Sequence, residues 1–247
     1  MSIDSARDWE GLREAGRVTR LTLDALERHA RVGVSTAELD GVAADVFREH
    51  GARSAPAIVY GFPRTVLISI NDEIVHGVPG RRRLRRGDLV KIDVTVEKDG
   101  YVADAARSLV IEGGSDTAHR LAACAAAALD AALEVARAGL RVNGIGRAVD
   151  REVRRQGFAV VKGLTGHGVG RTIHEWPTVA NRYMPWQTDV LTEGLVLTIE
   201  PMISAGSSQS VQDANGWTIR TSDGSLAAHH EHTLVITREQ PVILTAA

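Results

Sequence analysis

The most regular stretch of the chain lies between residues 88 and 108. Val90, Ile92, Val94 and Val96 alternate with Lys91, Asp93, Thr95 and Glu97, the period-two pattern of a half-buried strand. Asp99-Gly100 is a tight-turn pair, and a second strand begins at Tyr101. With a two-residue loop, Thr95 faces Asp104 and Asp93 lies diagonal to it. Both carboxylates then stand on one face within reach of each other. Such a pair on an otherwise apolar ribbon is costly unless something positive lies between.

Helical periodicity precedes this hairpin. Leu12, Ala15, Val18, Leu21, Leu23 and Leu26 predict an amphipathic helix from residue 7 to about residue 30, closed by Gly33. Ser35 with Glu38 is a capping box that opens a second helix, running to about His50 and ended by Gly51. AIVYGFP and VLISI read as strand-like over 57–70, with a turn at Asn71-Asp72. Beyond the hairpin, Gly113-Gly114 breaks the chain. An Ala-rich helix is predicted over 117–138, closed by Gly139, and another over about 142–156, ended by Gly157. FAVVKG, LVLTIE at 195–200 and a closing strand at 231–237 complete the pattern, with 178–192 irregular and a turn at Asp223-Gly224.

The order long helix, Gly, short helix, Gly therefore occurs twice at a constant offset of 106 residues. This fits an internal duplication, although two unrelated helical hairpins would give the same order. A duplicated chain suggests a pseudo-twofold molecule with a central site. The sequence is read as one domain, residues 1–247, with approximate halves 7–112 and 117–247.

Composition narrows the setting. A chain of 247 residues can bury a full core. A net charge of −2 and a pI of about 6.5 argue against wholesale nucleic-acid or membrane binding. The single Cys124 excludes an intramolecular disulfide and fits a reducing compartment. MSIDSARDWE has no signal-peptide pattern, and no run reaches transmembrane length. The expectation is a soluble, cytoplasmic protein.

Five residues carry charge or imidazole in apolar or Gly-rich surroundings: Asp93, Asp104, His167, Glu200 and Glu231. Glu200 ends LVLTI, where core strands rarely hold charge, and Glu231 opens an apolar strand. Four carboxylates and one imidazole form a hard, oxygen-rich set suited to Mn²⁺, Fe²⁺ or Co²⁺ better than to a structural zinc. Four carboxylates exceed the needs of one divalent ion. Two ions sharing bridging carboxylates would balance the charge and support hydrolysis of an amide or related bond. His76 and His174 lie in Gly-rich approaches and could donate or shuttle a proton. His229, His230 and His232 crowd Glu231. Alternation sets His230 and His232 on the opposite face, so these histidines read as supporting or surface groups.

The motifs SINDEIVHGVP, KIDVTVEKDGYVADAARS, GHGVGRTIHEWP, LTIEPM and EHTLVIT, in this order and spacing, make the chain resemble a type I methionine aminopeptidase. The resemblance extends from EAGR at 14–17 onward. It implies an α/β pita-bread fold, a curved antiparallel sheet covered by helices. It implies that Asp93 chelates one ion, that Asp104 and Glu231 bridge, and that His167 and Glu200 complete the other. It implies two divalent ions per chain, Co, Mn or Fe(II) with Zn also admitted. Glu200, His76 and His174 are the implied catalytic residues, the two histidines contacting substrate. Trp217 and Phe62 would line the methionine pocket. The implied reaction removes the initiator methionine from nascent polypeptides with a small second residue.

The chain departs from the family where Leu67 replaces a Cys or small polar residue, and where Val59 and Ile173 replace aromatics, so the pocket should be more aliphatic. It begins close to the first family motif, without the N-terminal extensions some relatives use to reach the ribosome. Proline-directed relatives share the metal set but carry a further N-terminal domain, and metal-free binding proteins of the same fold lose ligands. Arg81, Arg82, Arg83, Arg85 and Arg86 form a basic knot. It reads either as a solvated loop or as a transient ribosome contact through phosphates, with no specific nucleic-acid target. A monomer is expected.

Overall fold

The structure, a computed structural model, describes residues 1–246. Helix α1 (Ala6–His29) starts where Ser5 Oγ accepts the backbone N–H of Asp8 at 3.2 Å. Helix α2 (Thr36–Glu49) starts on the reciprocal box. Glu38 N–H donates to Ser35 Oγ at 3.2 Å, and Ser35 N–H donates to Glu38 Oε2 at 2.7 Å. Their apolar stripes, including Val18, Leu23, Leu26, Leu39 and Phe47, cover the Val90, Ile92, Val94 and Val96 face of the strand Leu89–Lys98. That strand sits in a four-stranded sheet with Arg53–Ser54, Leu67–Ile70 and Tyr101–Val110.

Residues 57–60 are not strand. They lie in a short helix, α3 (Ala55–Tyr60), whose first turn holds Pro56 and whose N-cap Ser54 accepts from Ala57 N–H. The β-branched pair Ile58 and Val59 suggested a strand, but both are about half exposed and pack little. Cap and proline decide the local structure instead.

The second half repeats the layering. Helices α4 (Asp116–Leu133) and α5 (Asn143–Arg155) bury Leu121, Ala125, Ala128, Ile145 and Val149 against Leu197, Ile199, Ile203 and Leu234. Helix α4 stops at Leu133, five residues short of the expected end, and 134–138 are non-helical. The five-stranded sheet below runs Val242–Ile243, His232–Val235, Val196–Ile199, Thr165–Gly168, Glu175–Ala180. Glu175–Ala180 takes in 178–180, expected to be irregular, and Val242–Ile243 extends the sheet beyond the expected closing strand. Two three-stranded sheets flank it. One sets Met202–Ser204 between Ala227–His229 and Ala159–Val160, the other Ile219–Thr221 between Ser210–Gln212 and Glu73–Val75. All these pairings are antiparallel.

The repeat is geometric. Gly33 and Gly139 both lie in turns beyond their helices at φ near +88° (89° and 87°), and Arg53–Ser54 and Ala159–Val160 stand at the same 106-residue offset. The halves meet along a seam where Leu12, Tyr101 and Val102 of the first pack with Val169, Ile173 and Val235 of the second. Glu231 N–H donates to Ala106 O at 3.0 Å and Ala106 N–H returns to Glu231 O at 3.4 Å. The central strand is covered on both sides rather than half-exposed, with Lys91 1% and Thr95 2% accessible. Its polar face looks into the seam. Lys91 Nζ is tied to Asn71 O at 2.8 Å, and burial lowers its pKa to about 7.

Candidate metal centre

The turn at Asp99-Gly100 sets the site's register. Both residues adopt positive φ, 51° and 83°, as a tight two-residue hairpin of matching twist requires. Thr95 is therefore paired with Asp104, and Asp93 with Ala106, two residues along. Thr95 Oγ1 donates to Asp104 Oδ1 at 2.9 Å. Thr233, from the other half, clamps the Asp104 backbone, accepting its N–H and donating to its carbonyl, both at 2.8 Å.

Glu200 follows the strand Val196–Ile199 and precedes Pro201, which ends the ladder. Its Oε1 accepts from Thr198 Oγ1 at 3.1 Å, and its carbonyl accepts from Asn181 Nδ2 at 2.9 Å. His167, on Thr165–Gly168, has Nδ1 2.9 Å from Gly168 O, so Nδ1 carries the hydrogen and Nε2 presents a lone pair 3.4 Å from Glu200 Oε1. This is how an imidazole ligand is usually oriented. Glu231 is 2% accessible.

These five residues share a cavity of about 380 Å³. Two groups have ligand atoms close enough to hold an ion: Asp104, His167 and Glu231; and Asp93, His229 and Glu231, of which all but His229 line the cavity. Glu231 belongs to both. The remaining walls include Tyr60, Phe62, Leu67, His76, Ile173, His174 and Trp217. Phe62 meets Trp217 edge-on at 5.2 Å, and His174 lies against His167 with ring centres 4.2 Å apart. Val59, expected with the pocket residues, does not line the cavity. It points to solvent from α3, while its neighbours Pro56 and Tyr60 reach in.

Without a cation the electrostatics are unfavourable. Burial and the charges of Asp104 and Glu200 push the Asp93 carboxyl well above its ordinary value. Glu200 is raised likewise by burial and Asp104, and Glu231 by burial with Asp104, Glu200 and Asp93. Asp104 rises to about 6, chiefly by burial, with the Thr95 hydrogen bond opposing. Asp93 Oδ1 is buried with no hydrogen-bond partner. Native folds rarely leave such an atom orphaned. A divalent ion at each group would reverse every one of these penalties, so the residues fit the ions that the chemistry of the set suggested. The histidines shift the other way. Burial lowers His167 to about 4, and His76 and His174 are also depressed. Both of those side chains are solvent-exposed where they line the cavity. All three are neutral near pH 7.

Several participants were not singled out from sequence. Tyr60 Oη lies 2.5 Å from His174 Nδ1. Thr198 and Thr233 fix Glu200 and Asp104. His229 is 1% accessible and shares the Glu231 side of the chain. Alternation could have found His229, since it stands two residues from Glu231. Nothing local marks Tyr60, which is brought in by an unforeseen helix.

A duplicated antiparallel fold around two carboxylate-rich groups that share one residue defines a dinuclear metallohydrolase. Comparison with known proteins agrees: the chain belongs to metallopeptidase family M24, whose pattern matches residues 10–238. Its likeness within that family is to the methionine aminopeptidases. It is 43% identical over 247 residues to methionine aminopeptidase 2 of Bacillus subtilis, with 99% of each chain covered. It superposes on the crystal structure of methionine aminopeptidase from Rickettsia prowazekii with a TM-score of 0.95 at 34% identity, and on that from Thermotoga maritima with 0.96 at 30%, covering the whole of each chain. The pita-bread fold expected from the motifs is the fold observed.

Proposed function

We propose that the chain removes the initiator methionine from polypeptides whose second residue is small. The observation that carries this reading is the convergence of four carboxylates, Asp104, Glu200 and Glu231 buried and Asp93 partly so, all raised chiefly by burial, with the His167 lone pair in a cavity walled by Phe62, Leu67, Ile173 and Trp217. Asp93 would hold one ion, His167 with Glu200 would hold the other, and Asp104 and Glu231 would serve both. The oxygen-rich set favours Mn²⁺, Fe²⁺ or Co²⁺, with Zn²⁺ admitted. Bound there, two such ions supply Lewis acidity and a water activated at neutral pH.

The chain's own residues do the rest. Phe62, Trp217, Leu67 and Ile173 enclose an unbranched thioether side chain and exclude water around it. Tyr60 Oη donates to Nδ1 of neutral His174, which leaves Nε2–H to donate to the scissile carbonyl oxygen as negative charge develops. His76 contacts the same peptide unit, and Glu200 accepts the proton released by the attacking water.

The test is turnover of Met-Ala-Ser against an X-Pro peptide, using chelator-treated protein before and after adding back Mn²⁺, Co²⁺ or Fe²⁺. Metal-dependent cleavage of Met-Ala-Ser alone is expected. Preference for X-Pro, or equal activity in the metal-free protein, would overturn the reading.

No helix among the described residues is long and apolar enough to cross a membrane. A monomer working in the cytoplasm on nascent N-termini is the setting that suits the reaction. The basic knot supports a ribosome contact less than its composition suggested. Arg82 pairs with Glu73 at 3.0 Å, Arg83 with Glu38 at 3.2 Å and Arg86 with Glu112 at 3.2 Å. Arg81 and Arg85 make no ion pair among the described residues, and with Asn71 and Asp88 they border a surface cavity. These two are the arginines to change. Replacing both by Ser should leave peptide turnover intact and weaken low-salt co-sedimentation with ribosomes. Unchanged co-sedimentation would make the knot a solvated loop.

A further inference from the structure

His229 is the end of the strand Ala227–His229 and is anchored at both backbone groups. Its N–H donates to Ser108 Oγ at 2.9 Å, and its carbonyl accepts from the same hydroxyl at 2.8 Å. The ring is thus directed into the seam at 1% accessibility. There, neither ring nitrogen has a hydrogen-bond partner. Yet Nε2 lies 3.6 Å from Glu231 Oε2 and 3.7 Å from Glu200 Oε2. These separations are too long for hydrogen bonds. The 3.6 Å separation from Glu231 is the spacing of ligand atoms that share a cation: two donors about 2.1 Å from one ion, at angles between tetrahedral and trigonal, stand about 3.4–3.6 Å apart. The orphaned Asp93 Oδ1 belongs to the same group of residues.

The scheme drawn from the motifs gives the ion held by His167 and Glu200 one imidazole, and the ion held by Asp93 none. We propose that His229, through Nε2, is a further ligand of the Asp93 ion, so that each ion of the pair carries one imidazole. This rests on the dinuclear reading above. Its consequence is a firmer and more nitrogen-rich second site than carboxylates alone would form, tilted toward metals that accept imidazole well. The Glu200 carboxylate then lies between two imidazoles, Oε1 facing His167 and Oε2 facing His229.

The experiment reads the metal, not the reaction. Metal-free protein is loaded anaerobically with two equivalents of Co²⁺, and cobalt-edge X-ray absorption counts imidazoles by their outer-ring scattering. One imidazole per cobalt is expected, and half of one would overturn the proposal. In parallel, calorimetric Co²⁺ titration compares wild type with His229→Gln, which keeps a polar side chain of similar reach. Even losing a group that merely supports a ligand costs about 10–100-fold in metal affinity. The weaker of the two sites should therefore lose at least about tenfold, the tighter one little. Two unchanged affinities would refute His229 as a ligand. A wild type that takes up no Co²⁺ would bring down the dinuclear reading itself, an outcome distinct from both. The absorption measurement needs no variant, so it decides the question even if His229→Gln folds poorly.

Discussion

Asp104→Asn exchanges one oxygen for one nitrogen in the middle of the carboxylate cluster, and it should move stability and activity in opposite directions. In the metal-free protein the Asp104 carboxyl is raised from 3.8 to about 6. A carboxyl whose folded pKa lies above its unfolded one holds its proton more tightly when folded. The stability it contributes is fully present below about pH 3.8 and is lost as pH rises through about 6. At one pKa unit per about 1.4 kcal/mol, that loss is about 3 kcal/mol by pH 7.5. Asparagine does not ionise. Its Oδ1 can keep the Thr95 hydrogen bond, and its amide can donate to a neighbouring carboxylate. Chelator-treated Asp104→Asn should therefore be more stable than chelator-treated wild type by about 3 kcal/mol at pH 7.5, with the gap closing toward about pH 4. Removing the Asp104 charge also eases ionisation of Asp93, Glu200 and Glu231, which acts in the same direction.

Urea unfolding followed by far-ultraviolet circular dichroism at three pH values between about 4.5 and 7.5 measures the gap. The buried histidines titrate in part of this range too. They are common to both proteins and largely cancel in the difference. With metals added, the order should reverse. A neutral amide neither bridges two cations nor balances their charge, so turnover of Met-Ala-Ser should fall at least about a hundredfold. A metal-free variant that is no more stable at pH 7.5 than wild type would refute the electrostatic argument. Near-normal turnover at full metal occupancy would refute the assignment of Asp104 as a shared ligand.

Three further outcomes test the walls of the site. His174→Ala should lower kcat far more than it raises KM while metal content is kept, because its contact strengthens only as charge develops on the carbonyl oxygen; loss of both metals would instead make His174 a ligand. Gly77→Ala would put its Cβ 2.1 Å from Ile68 O, on a backbone tied by Ile68 N–H to Gly77 O at 3.0 Å. It should cost about 1–3 kcal/mol in unfolding free energy and displace the adjacent His76, so that turnover falls with metals retained; wild-type turnover would show His76 to be dispensable or unmoved. Peptides beginning Met-Gly, Met-Ala and Met-Ser should be cut and Met-Lys and Met-Leu cut poorly, and a flat profile across second residues would count against methionine excision.

The parts of this molecule readable from sequence are those set by local rules. The Ser35–Glu38 box, the stripe of α1 and the Asp99-Gly100 turn each determine their element within a few residues, and the turn alone fixes the Thr95–Asp104 pairing. The misread parts depend on distant partners. Ile58 and Val59 look like strand residues until Ser54 caps a helix beneath them. Ala136 and Ala138 look helical, yet Ala138 N–H bonds to Thr237 O at 2.8 Å instead of to its own turn. Alternation puts His229 on the Glu231 side of the chain, but it sits in a run with His230 and His232, and its anchoring by Ser108, on another strand, is not legible in that run.

The two halves share a scaffold, but neither half contains the site. Carried forward by the 106-residue offset, Asp93 lands on Ile199, the neighbour of Glu200, so one carboxylate in each half occupies a nearly equivalent strand position. The other ligands have no such counterpart. Asp104 maps to Ser210, and taken backward His167 maps to Gly61, while Glu231 lands at Ala125, still inside the second half. The repeat therefore supplies two sheets with their helices outside, and the seam supplies the chemistry. The hydrogen bonds show how the seam holds it. Thr233 of the second half secures Asp104 of the first, and Ala106 of the first secures Glu231 of the second. Each of these two residues is held at its backbone by a residue of the opposite half, and both are the ones proposed to be shared between the ions. Docking of the halves and spacing of the metal ligands are then a single structural event, which places buried carboxylates where bound ions would offset their charge.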